Sequence, residues 1–250
     1  MKCLVVDIGN TSTAVGVYQN GAVRKVSRLS TANPGIRAVR RILSERIDHR
    51  VKAAILSTVV PKARALWDRE ARRHLGGSVY WLNSRTPIGI KVSLRNPKRI
   101  GTDRLATVSG AAAKYGAPTI VIDTGTAMVF DVIRPSKGHV GGVICAGLPL
   151  LLDALADRTA LLPRLSPEKV SAQVGRSTKE AMQLGAAWGQ IGAAKEVLAR
   201  LRRPFGRRKV AIVVTGGDAT WLGPALGRSV IVDETLTLFG LGHIGELNWG

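Results

Sequence analysis

The sequence predicts an α/β fold made of two similar halves, each a mixed sheet flanked by helices, with a cleft between them. Three observations predict it. An apolar run that ends in Asp-x-Gly occurs twice, at residues 4–9 and 120–125. A second apolar run follows each of them after a short polar turn, as in a β-hairpin. Helical and strand patterns then alternate through the rest of each half. We place the halves at residues 1–114 and 115–250.

The first half opens with a buried strand that delivers a carboxylate into a tight turn. Residues 4–9 read LVVDIG, and a returning strand from Ala14 to Tyr18 leads to the turn Gln19-Asn20-Gly21. Further along this half, apolar residues recur every three to four positions in some segments, as in helices, and form short continuous or alternating runs in others, as in strands. We predict helices at 35–48, 61–75 and 101–115 and strands at 53–60 and 79–82, the third helix joining the two halves.

The second half repeats this opening. Residues 120–125 read IVIDTG, and an apolar run from Ala127 to Ile133 leads to a turn rich in Pro, Ser and Gly at 134–138. A fixed pattern that recurs half a chain later is the signature of duplication. We predict helices at 148–158, at 177–201 and after Asp233, with a strand at 210–214.

Composition predicts a cytoplasmic protein. With 250 residues and 45% apolar side chains the chain can build large cores without disulfides. Its two cysteines, Cys3 and Cys145, are far apart and form no CxxC pair, which favours a reducing compartment. No apolar run approaches the roughly 18 residues of a membrane helix, and Asp7 interrupts the first one, so we expect neither a membrane partner nor a signal peptide.

The net charge of +20 raises the question of an anionic partner. Cations are densest at residues 200–209 and looser at residues 37–52. Aromatic residues make up 4% of the chain, which leaves few side chains on which bases could stack, and no nucleic-acid recognition motif accompanies the charge. We therefore favour a basic, solvated surface that attracts anionic metabolites over dedicated nucleic-acid binding.

Three glycine-rich turns carry the chemistry. D-I-G-N-T-S at 7–12 and D-T-G-T at 123–126 each offer backbone N–H groups and hydroxyls to phosphate oxygens, beside a carboxylate that could hold Mg²⁺ through water. T-G-G-D-A at 215–219 lets the backbone approach a flat ligand such as adenine. Alone, the first two turns could be ordinary β-turns and the third a plain strand-to-helix turn, but the repeat of the first turn in the second half favours two turns that clamp a polyphosphate.

In this order on duplicated α/β halves, the three turns resemble the actin-like (ribonuclease H-like) superfamily of sugar and acetate kinases, chaperone ATPases and actin. Within it the chain resembles the type III pantothenate kinases over nearly its whole length. The most specific segment is N-P-K-R-I-G-T-D-R at 96–104. The G-G-V-I segment, which begins at Gly141, T-A-L-L-P at 159–163 and D-E-T-L-T-L-F-G-L at 233–241 add to it.

The resemblance implies an ATP-dependent kinase that makes 4′-phosphopantothenate, the entry step to coenzyme A, with a nucleotide cleft between the halves. Asp103 of G-x-D-R would be the base that takes the proton of the pantothenate hydroxyl, and Arg104 would hold the carboxylate or amide oxygens of pantothenate. Taken alone, G-T-D-R could equally be an N-terminal Asp and a surface Arg of a helix. The substrate contacts implied are Gly101, Thr102, Asp103, Arg104, Thr178 and the position of Leu94. The implied ATP contacts are Asp7, Ile8, Gly9, Asn10, Thr11, Ser12, Thr13, Ala14, Thr126, Gly216 and Gly217.

The resemblance also implies cofactors and a partner. Asp123 would bind a monovalent cation, K⁺ or NH₄⁺, Asp7 would hold Mg²⁺ through water, and the chain would form a homodimer through its second half. Two positions depart from the family: Leu94 stands where a Tyr is usual, and Ala146 replaces the Pro of I-x-P-G. Two alternatives stay open, a catalytically weak nucleotide-binding homologue with a regulatory role and a basic nucleic-acid-associated protein on the same fold.

Overall fold

The computed structural model describes residues 1–32, 35–168 and 172–250 as two compact units, each organised around a five-stranded sheet. The first unit comprises Met1–Thr119, Ile133–Gly141 and Thr235–Gly250, and the second comprises Ile120–Val132 and Gly142–Glu234. Within the described ranges, no helix has the length and apolar character needed to cross a membrane.

The first sheet has the strand order β3-β2-β1-β4-β5. Strands β1 and β2 form the predicted hairpin, β3 continues it antiparallel, and β4 and β5 run parallel to β1, so the sheet is mixed. Three helices connect or follow its strands. The elements are β1 (Lys2–Ile8), β2 (Ser12–Gln19), β3 (Ala22–Ser30), α1 (Ile36–Arg46), β4 (Ala53–Thr58), α2 (Pro61–Leu75), β5 (Ser78–Trp81) and α3 (Thr102–Tyr115).

The second sheet repeats this arrangement. Its order is β10-β9-β6-β7-β8. Read from the other edge, this is β8-β7-β6-β9-β10, which matches β3-β2-β1-β4-β5 strand for strand, with β6 in the place of β1. This match confirms the duplicated α/β class predicted from the two Asp-x-Gly runs. The elements are β6 (Thr119–Thr124), β7 (Ala127–Arg134), β8 (Gly138–Ala146), α4 (Leu148–Arg158), α5 (Thr178–Arg202), β9 (Ala211–Gly216), α6 (Ala219–Leu226), β10 (Ile231–Val232) and α7 (Leu236–Trp249).

The core of the first unit forms because β1 and β4 are apolar on both faces. Leu4, Val6 and Ile8 of β1 are fully buried and pack with Leu43 of α1 and Trp67 of α2. A run that is apolar at every position is typical of a central strand covered on both sides. This burial fixes where β1 ends, and therefore where Asp7 and the turn after it stand.

A buried carboxylate ties the two covering helices together. The side chain of Glu70 on α2 is fully buried and accepts hydrogen bonds from Arg40 of α1 at 2.8 Å and from Arg69 at 3.1 Å. The hydrogen bond from Arg40 is the main cause that lowers the pKa of Glu70 to about 2, so the carboxylate stays ionised. Part of the basic run at residues 37–52 therefore serves an internal ion pair.

Three edge strands were not predicted from the sequence: β3, β8 and the two-residue β10. Strand β3 reads AVRKVSRLS and holds only partly buried and exposed residues at the sheet edge, so it lacks the apolar run of a central strand. Strand β8 holds glycines at 138, 141 and 142, which obscure the strand pattern. Because β3 and β8 complete hairpins begun by predicted strands, their absence from the prediction left the fold class unchanged.

The last helix differs from the predicted division of the chain. We assigned α7 to the second half by chain order, whereas residues 235–250 belong to the first unit. Glycines explain this packing: a methyl group on Gly240 would lie 1.9 Å from the Ala106 carbonyl oxygen, and one on Gly110 would lie 2.7 Å from that of Leu236. The backbones of helices α3 and α7 are thus in contact. A hydrogen bond also ties α7 to the first sheet, because Tyr18 of β2 donates to Glu246 of α7 at 2.7 Å.

Candidate active site

The first glycine-rich turn joins β1 to β2 at the end of a buried strand. The Gly9 N–H donates to the Ser12 carbonyl oxygen at 3.1 Å, which closes the turn. Asn10, Thr11 and Ser12 are exposed, whereas Ile8, Thr13 and Ala14 are buried, and the Thr13 and Thr31 hydroxyls lie 2.8 Å apart. The turn therefore presents hydroxyls and backbone to solvent on a rigid base.

Asp7 lies beside this turn in a crowded electrostatic environment. Its carboxylate accepts a hydrogen bond from the Ser57 hydroxyl at the end of β4. Loss of hydration raises the pKa of Asp7 to about 6, and the neighbouring Asp103 carboxylate adds to the rise, while Ser57 and Arg28 oppose it. The structure thus brings Asp7 and Asp103 into electrostatic contact within the first unit.

Asp103 stands in the first turn of α3, where the dipole and free N–H groups of a helix favour a carboxylate. One carboxylate oxygen accepts the Arg104 N–H at 2.7 Å, and Thr107 donates to the Asp103 carbonyl oxygen at 3.0 Å. A methyl group on Gly101 would lie 2.4 Å from the same carboxylate oxygen. Gly101 is therefore the residue that leaves room for the side chain of Asp103.

The second unit holds an equivalent turn between β6 and β7. The Gly125 N–H donates to the Ala127 carbonyl oxygen at 3.0 Å, and the Gly147 N–H donates to that of Thr126 at 3.0 Å. Asp123 precedes the turn and is partly exposed, as is Thr126. The arrangement repeats the first turn, with a carboxylate at the strand end and a hydroxyl in the turn.

The third turn, at the end of β9, packs against the second. Gly216 has φ +95°, and a methyl group there would lie 2.1 Å from the Thr124 carbonyl oxygen and 2.5 Å from an Asp123 carboxylate oxygen. The Thr124 hydroxyl donates to the Thr215 carbonyl oxygen at 3.0 Å. The structure thus brings Asp123, Gly216 and the exposed Gly217 together in the second unit.

Two predicted substrate contacts, Thr178 and Leu94, are outside these three turns in the sequence. Thr178 is exposed as the first residue of α5, which begins with Ser177 accepting the Glu180 N–H at 3.2 Å. Leu94 is partly buried in the segment before α3. Gly141 is its neighbour, since a methyl group there would lie 3.8 Å from the Leu94 side chain. Ala146, the second departure, is exposed at the end of β8.

Sequence reasoning missed two polar residues at these strand ends. Ser57 follows the apolar run of β4, and Asp218 follows the glycines at the end of β9, where burial raises its pKa. Strands β1 and β4 run parallel and therefore end at one edge of the sheet, which places Ser57 beside Asp7. Within the described residues, no group of three His, Cys, Asp or Glu side chains is placed to hold a metal ion.

Comparison with known proteins gives one family. Residues 3–200 match the family model described as type III pantothenate kinase. A type III pantothenate kinase of Akkermansia muciniphila is 41% identical over 214 residues, covering 84% of this chain and 86% of the relative. One of Methylacidiphilum infernorum is 31% identical over 245 residues, covering 98% and 88%.

Solved structures bear on the fold. A Campylobacter jejuni protein described as a conserved Baf family transcriptional activator aligns with a TM-score of 0.60 at 21% identity over 98% of both chains. A ROK family glucokinase of Streptomyces griseus, solved with glucose and AMPPNP, aligns with a TM-score of 0.52 at 17% identity over 99% of both chains. At such identities the likeness extends to the fold alone.

Proposed function

The chain belongs to the type III pantothenate kinase family, and from this premise we propose which residues perform its reaction. It is an ATP-dependent kinase that transfers the γ-phosphoryl group of ATP to pantothenate and yields 4′-phosphopantothenate, the first step of coenzyme A biosynthesis. The observation that carries the assignment of residues is the placement of Asp103 in the first turn of α3, in electrostatic contact with Asp7.

Asp103 is the base in this proposal. Its carboxylate accepts the proton of the pantothenate primary hydroxyl as the hydroxyl oxygen forms a bond to the γ-phosphorus, and the bond from that phosphorus to the bridging oxygen of ADP breaks. Gly101 has no side chain and so leaves room for the carboxylate, and the N–H of Arg104 holds it in place by a hydrogen bond. Arg104 binds the pantothenate carboxylate or amide oxygens, with Gly101, Thr178 and the segment at Leu94 completing the contacts.

ATP binding is assigned to the glycine-rich turns. Residues 7–14 of the first unit contact the phosphates, and Thr126, Gly216 and Gly217 of the second unit contact the nucleotide. Mg²⁺ bound to the phosphates fits this chain, because Mg²⁺ keeps several waters and requires few carboxylates, and the described residues offer Asp7 rather than a cluster of ligands. The ion would neutralise charge on the transferred group.

A monovalent cation is assigned to Asp123. One oxygen of its carboxylate and the carbonyl oxygen of Thr124 both lie close to Gly216, and oxygen ligands of this kind suit K⁺ or NH₄⁺. The cation would offset part of the phosphate charge next to the nucleotide.

The proposed function predicts turnover that depends on the monovalent cation. ADP release, coupled to a reporter reaction, is measured with pantothenate and Mg-ATP in potassium, ammonium and sodium buffers of equal ionic strength. We expect ADP release that requires pantothenate and is at least about tenfold faster with potassium or ammonium. Equal rates in sodium would contradict the cation site, and ATP binding without any ADP release would contradict the residue assignments as a whole.

We also propose that the chain acts as a homodimer through its second unit. Helices α4 and α5 form a groove of about 410 Å³ lined by residues such as Leu151, Leu155 and Gly189. Trp188, which directly precedes the lining residue Gly189 on α5, is 53% exposed, and Leu150 and Leu155 of α4 are also exposed. An exposed apolar patch with a tryptophan is typical of a protein interface.

We also propose a cytoplasmic location. The free cysteines Cys3 and Cys145 support it, because a reducing compartment keeps thiols free of disulfides.

The homodimer proposal predicts that Trp188→Asp separates the protomers. One chain has a mass of 26.6 kDa, and light scattering of the eluting wild-type protein should give twice that mass. The dimer dissociation constant of the variant should be about 30-fold higher than that of wild type, since a central tryptophan contributes roughly 2 kcal/mol. Val174→Asp is the matched control, because Val174 is 74% exposed outside the two helices. A wild-type monomer, or an unchanged dimer of Trp188→Asp, would overturn the proposal.

A further inference from the structure

Thr102 makes two hydrogen bonds to the backbone of one residue. Its hydroxyl oxygen accepts the Thr58 N–H at 3.2 Å, and its hydroxyl donates to the Thr58 carbonyl oxygen at 3.1 Å. Thr58 is the last residue of β4, and Thr102 is the first residue of α3. We call this pair of bonds the Thr102 clasp. It joins the end of a central strand to the start of the helix that carries Asp103.

The clasp takes the place of a strand that has ended. In a parallel sheet, alternate residues direct their N–H and C=O groups to the same neighbour. The Leu56 carbonyl oxygen accepts the Leu82 N–H at 2.8 Å, on the β5 side of β4, so the backbone groups of Thr58 also face that side. Strand β5 ends at Trp81, and the Thr102 hydroxyl satisfies the two groups of Thr58 that would otherwise extend the ladder.

The clasp also occupies the one proton that Thr102 could offer. A hydroxyl has a single hydrogen, and here it is donated to the Thr58 carbonyl oxygen. A hydroxyl engaged in this way cannot donate to pantothenate unless the clasp opens.

The end of β4 is bonded both to Asp7 and to the start of the helix that carries Asp103. The Ser57 hydroxyl donates to the Asp7 carboxylate, and the next residue, Thr58, bonds to the hydroxyl of Thr102, which directly precedes Asp103. We propose that Thr102 is a positioning residue, whose bonds to the end of β4 set the place of the Asp103 carboxylate relative to Asp7 and the phosphate turn. This inference rests on the proposed role of Asp103 as the base.

The test compares three variants of the full chain in steady-state kinetics. Thr102→Val keeps the shape and removes the hydroxyl, and we expect kcat to fall by about 30-fold or more while KM for pantothenate changes less than about threefold, as for a misplaced catalytic group. Thr102→Ser restores the hydroxyl and should return kcat to within about threefold of wild type. Thr119→Val is the matched control, because the buried Thr119 hydroxyl also donates to a backbone carbonyl, that of Gly116 at 2.8 Å.

Two further measurements do not depend on turnover. Hydrogen exchange of the Thr58 amide should accelerate in Thr102→Val and not in Thr119→Val, and pantothenate binding by calorimetry without ATP should stay within about threefold of wild type. Should the valine variant fail to fold, Thr102→Ala, which admits water to the Thr58 groups, gives the same measurements. Pantothenate affinity reduced tenfold with kcat preserved, or no rescue by serine, would overturn the proposal.

The outcomes separate this inference from the base assignment. If Asp103→Asn retains turnover, Asp103 is not the base, and faster Thr58 exchange in Thr102→Val then shows a clasp without a catalytic role, which overturns the inference. If Asp103→Asn loses turnover while Thr102→Val keeps it, the base assignment stands and the inference alone fails. Loss of kcat in both variants, with rescue by Thr102→Ser, supports both.

Discussion

Asparagine in place of Asp103 is expected to reduce kcat by about 10²–10⁴-fold, because a carboxamide cannot accept the proton of the pantothenate hydroxyl. The two side chains have nearly the same shape, and an Asn oxygen can still accept the Arg104 N–H. Folding should therefore be preserved, and the loss should fall on the chemical step. ADP release under saturating pantothenate and Mg-ATP measures it.

The control for this variant is Glu196→Gln, which makes the same exchange of carboxylate for carboxamide on the exposed face of α5, where Glu196 pairs with Arg200 at 2.6 Å. That control should keep wild-type turnover, and both variants should bind ATP as wild type does. Turnover by Asp103→Asn within about tenfold of wild type would exclude Asp103 as the base.

Asparagine in place of Asp7 is expected to stabilise the fold and to impair catalysis. The pKa of Asp7 is raised to about 6, mainly by loss of hydration and then by Asp103. A group whose charged form is disfavoured in the folded state destabilises the fold at a pH above that value. A shift of about two pKa units corresponds to roughly 3 kcal/mol, so the variant should gain roughly 2–3 kcal/mol of unfolding free energy at pH 8.

The sign of this effect follows from proton linkage. The carboxyl group of Asp7 has an ordinary pKa near 3.8 in the unfolded chain, so the folded chain holds the extra proton between that value and about 6. Wild-type stability attributable to Asp7 is thus greatest at low pH and is lost as pH rises through 6. The stability advantage of Asp7→Asn should be largest at pH 7–8 and should shrink toward pH 4, measured by urea unfolding without metal or nucleotide.

Asp48→Asn is the matched control with the opposite sign. Hydrogen bonds from Lys2 at 2.6 Å and from the Arg50 N–H lower the pKa of Asp48, so its ionised form stabilises the fold above the ordinary pKa, and the variant should lose stability at pH 7–8. Turnover of Asp7→Asn should fall by about tenfold or more, because the phosphate turn loses its carboxylate. A destabilised Asp7→Asn at pH 8 would contradict the account of its raised pKa.

The elements that carry the candidate site were predictable, because their signals are local. A buried apolar strand that ends in Asp-x-Gly marks both β1 and β6, and the polar turn after each one needs no distant contact to be recognised. Helix α2 was predicted with its observed bounds, since Pro61 opens it and Gly76 in the left-handed conformation closes it. Edge strands such as β3 lack such signals, as their residues face solvent on one side.

Partnerships across the sequence were not predictable in the same way. Ser57 and Asp7 are 50 residues apart, and Thr58 and Thr102 are 44 residues apart, so nothing local connects them. The resemblance implied a substrate contact at Thr102, and nothing in the sequence indicated the hydrogen bonds of its hydroxyl to Thr58. Only the strand order, which places β4 beside β1 and ends β5 early, brings these groups together.

The sequence by itself determined the duplicated α/β fold, the three glycine-rich turns and the G-x-D-R segment, because each depends on residue type and spacing within a few positions. The tertiary structure alone decided the raised pKa of Asp7, the bonds that hold the start of α3, and the return of α7 to the first unit through Gly110 and Gly240. These features depend on desolvation and on backbone approach between segments more than 40 residues apart, which no local pattern encodes.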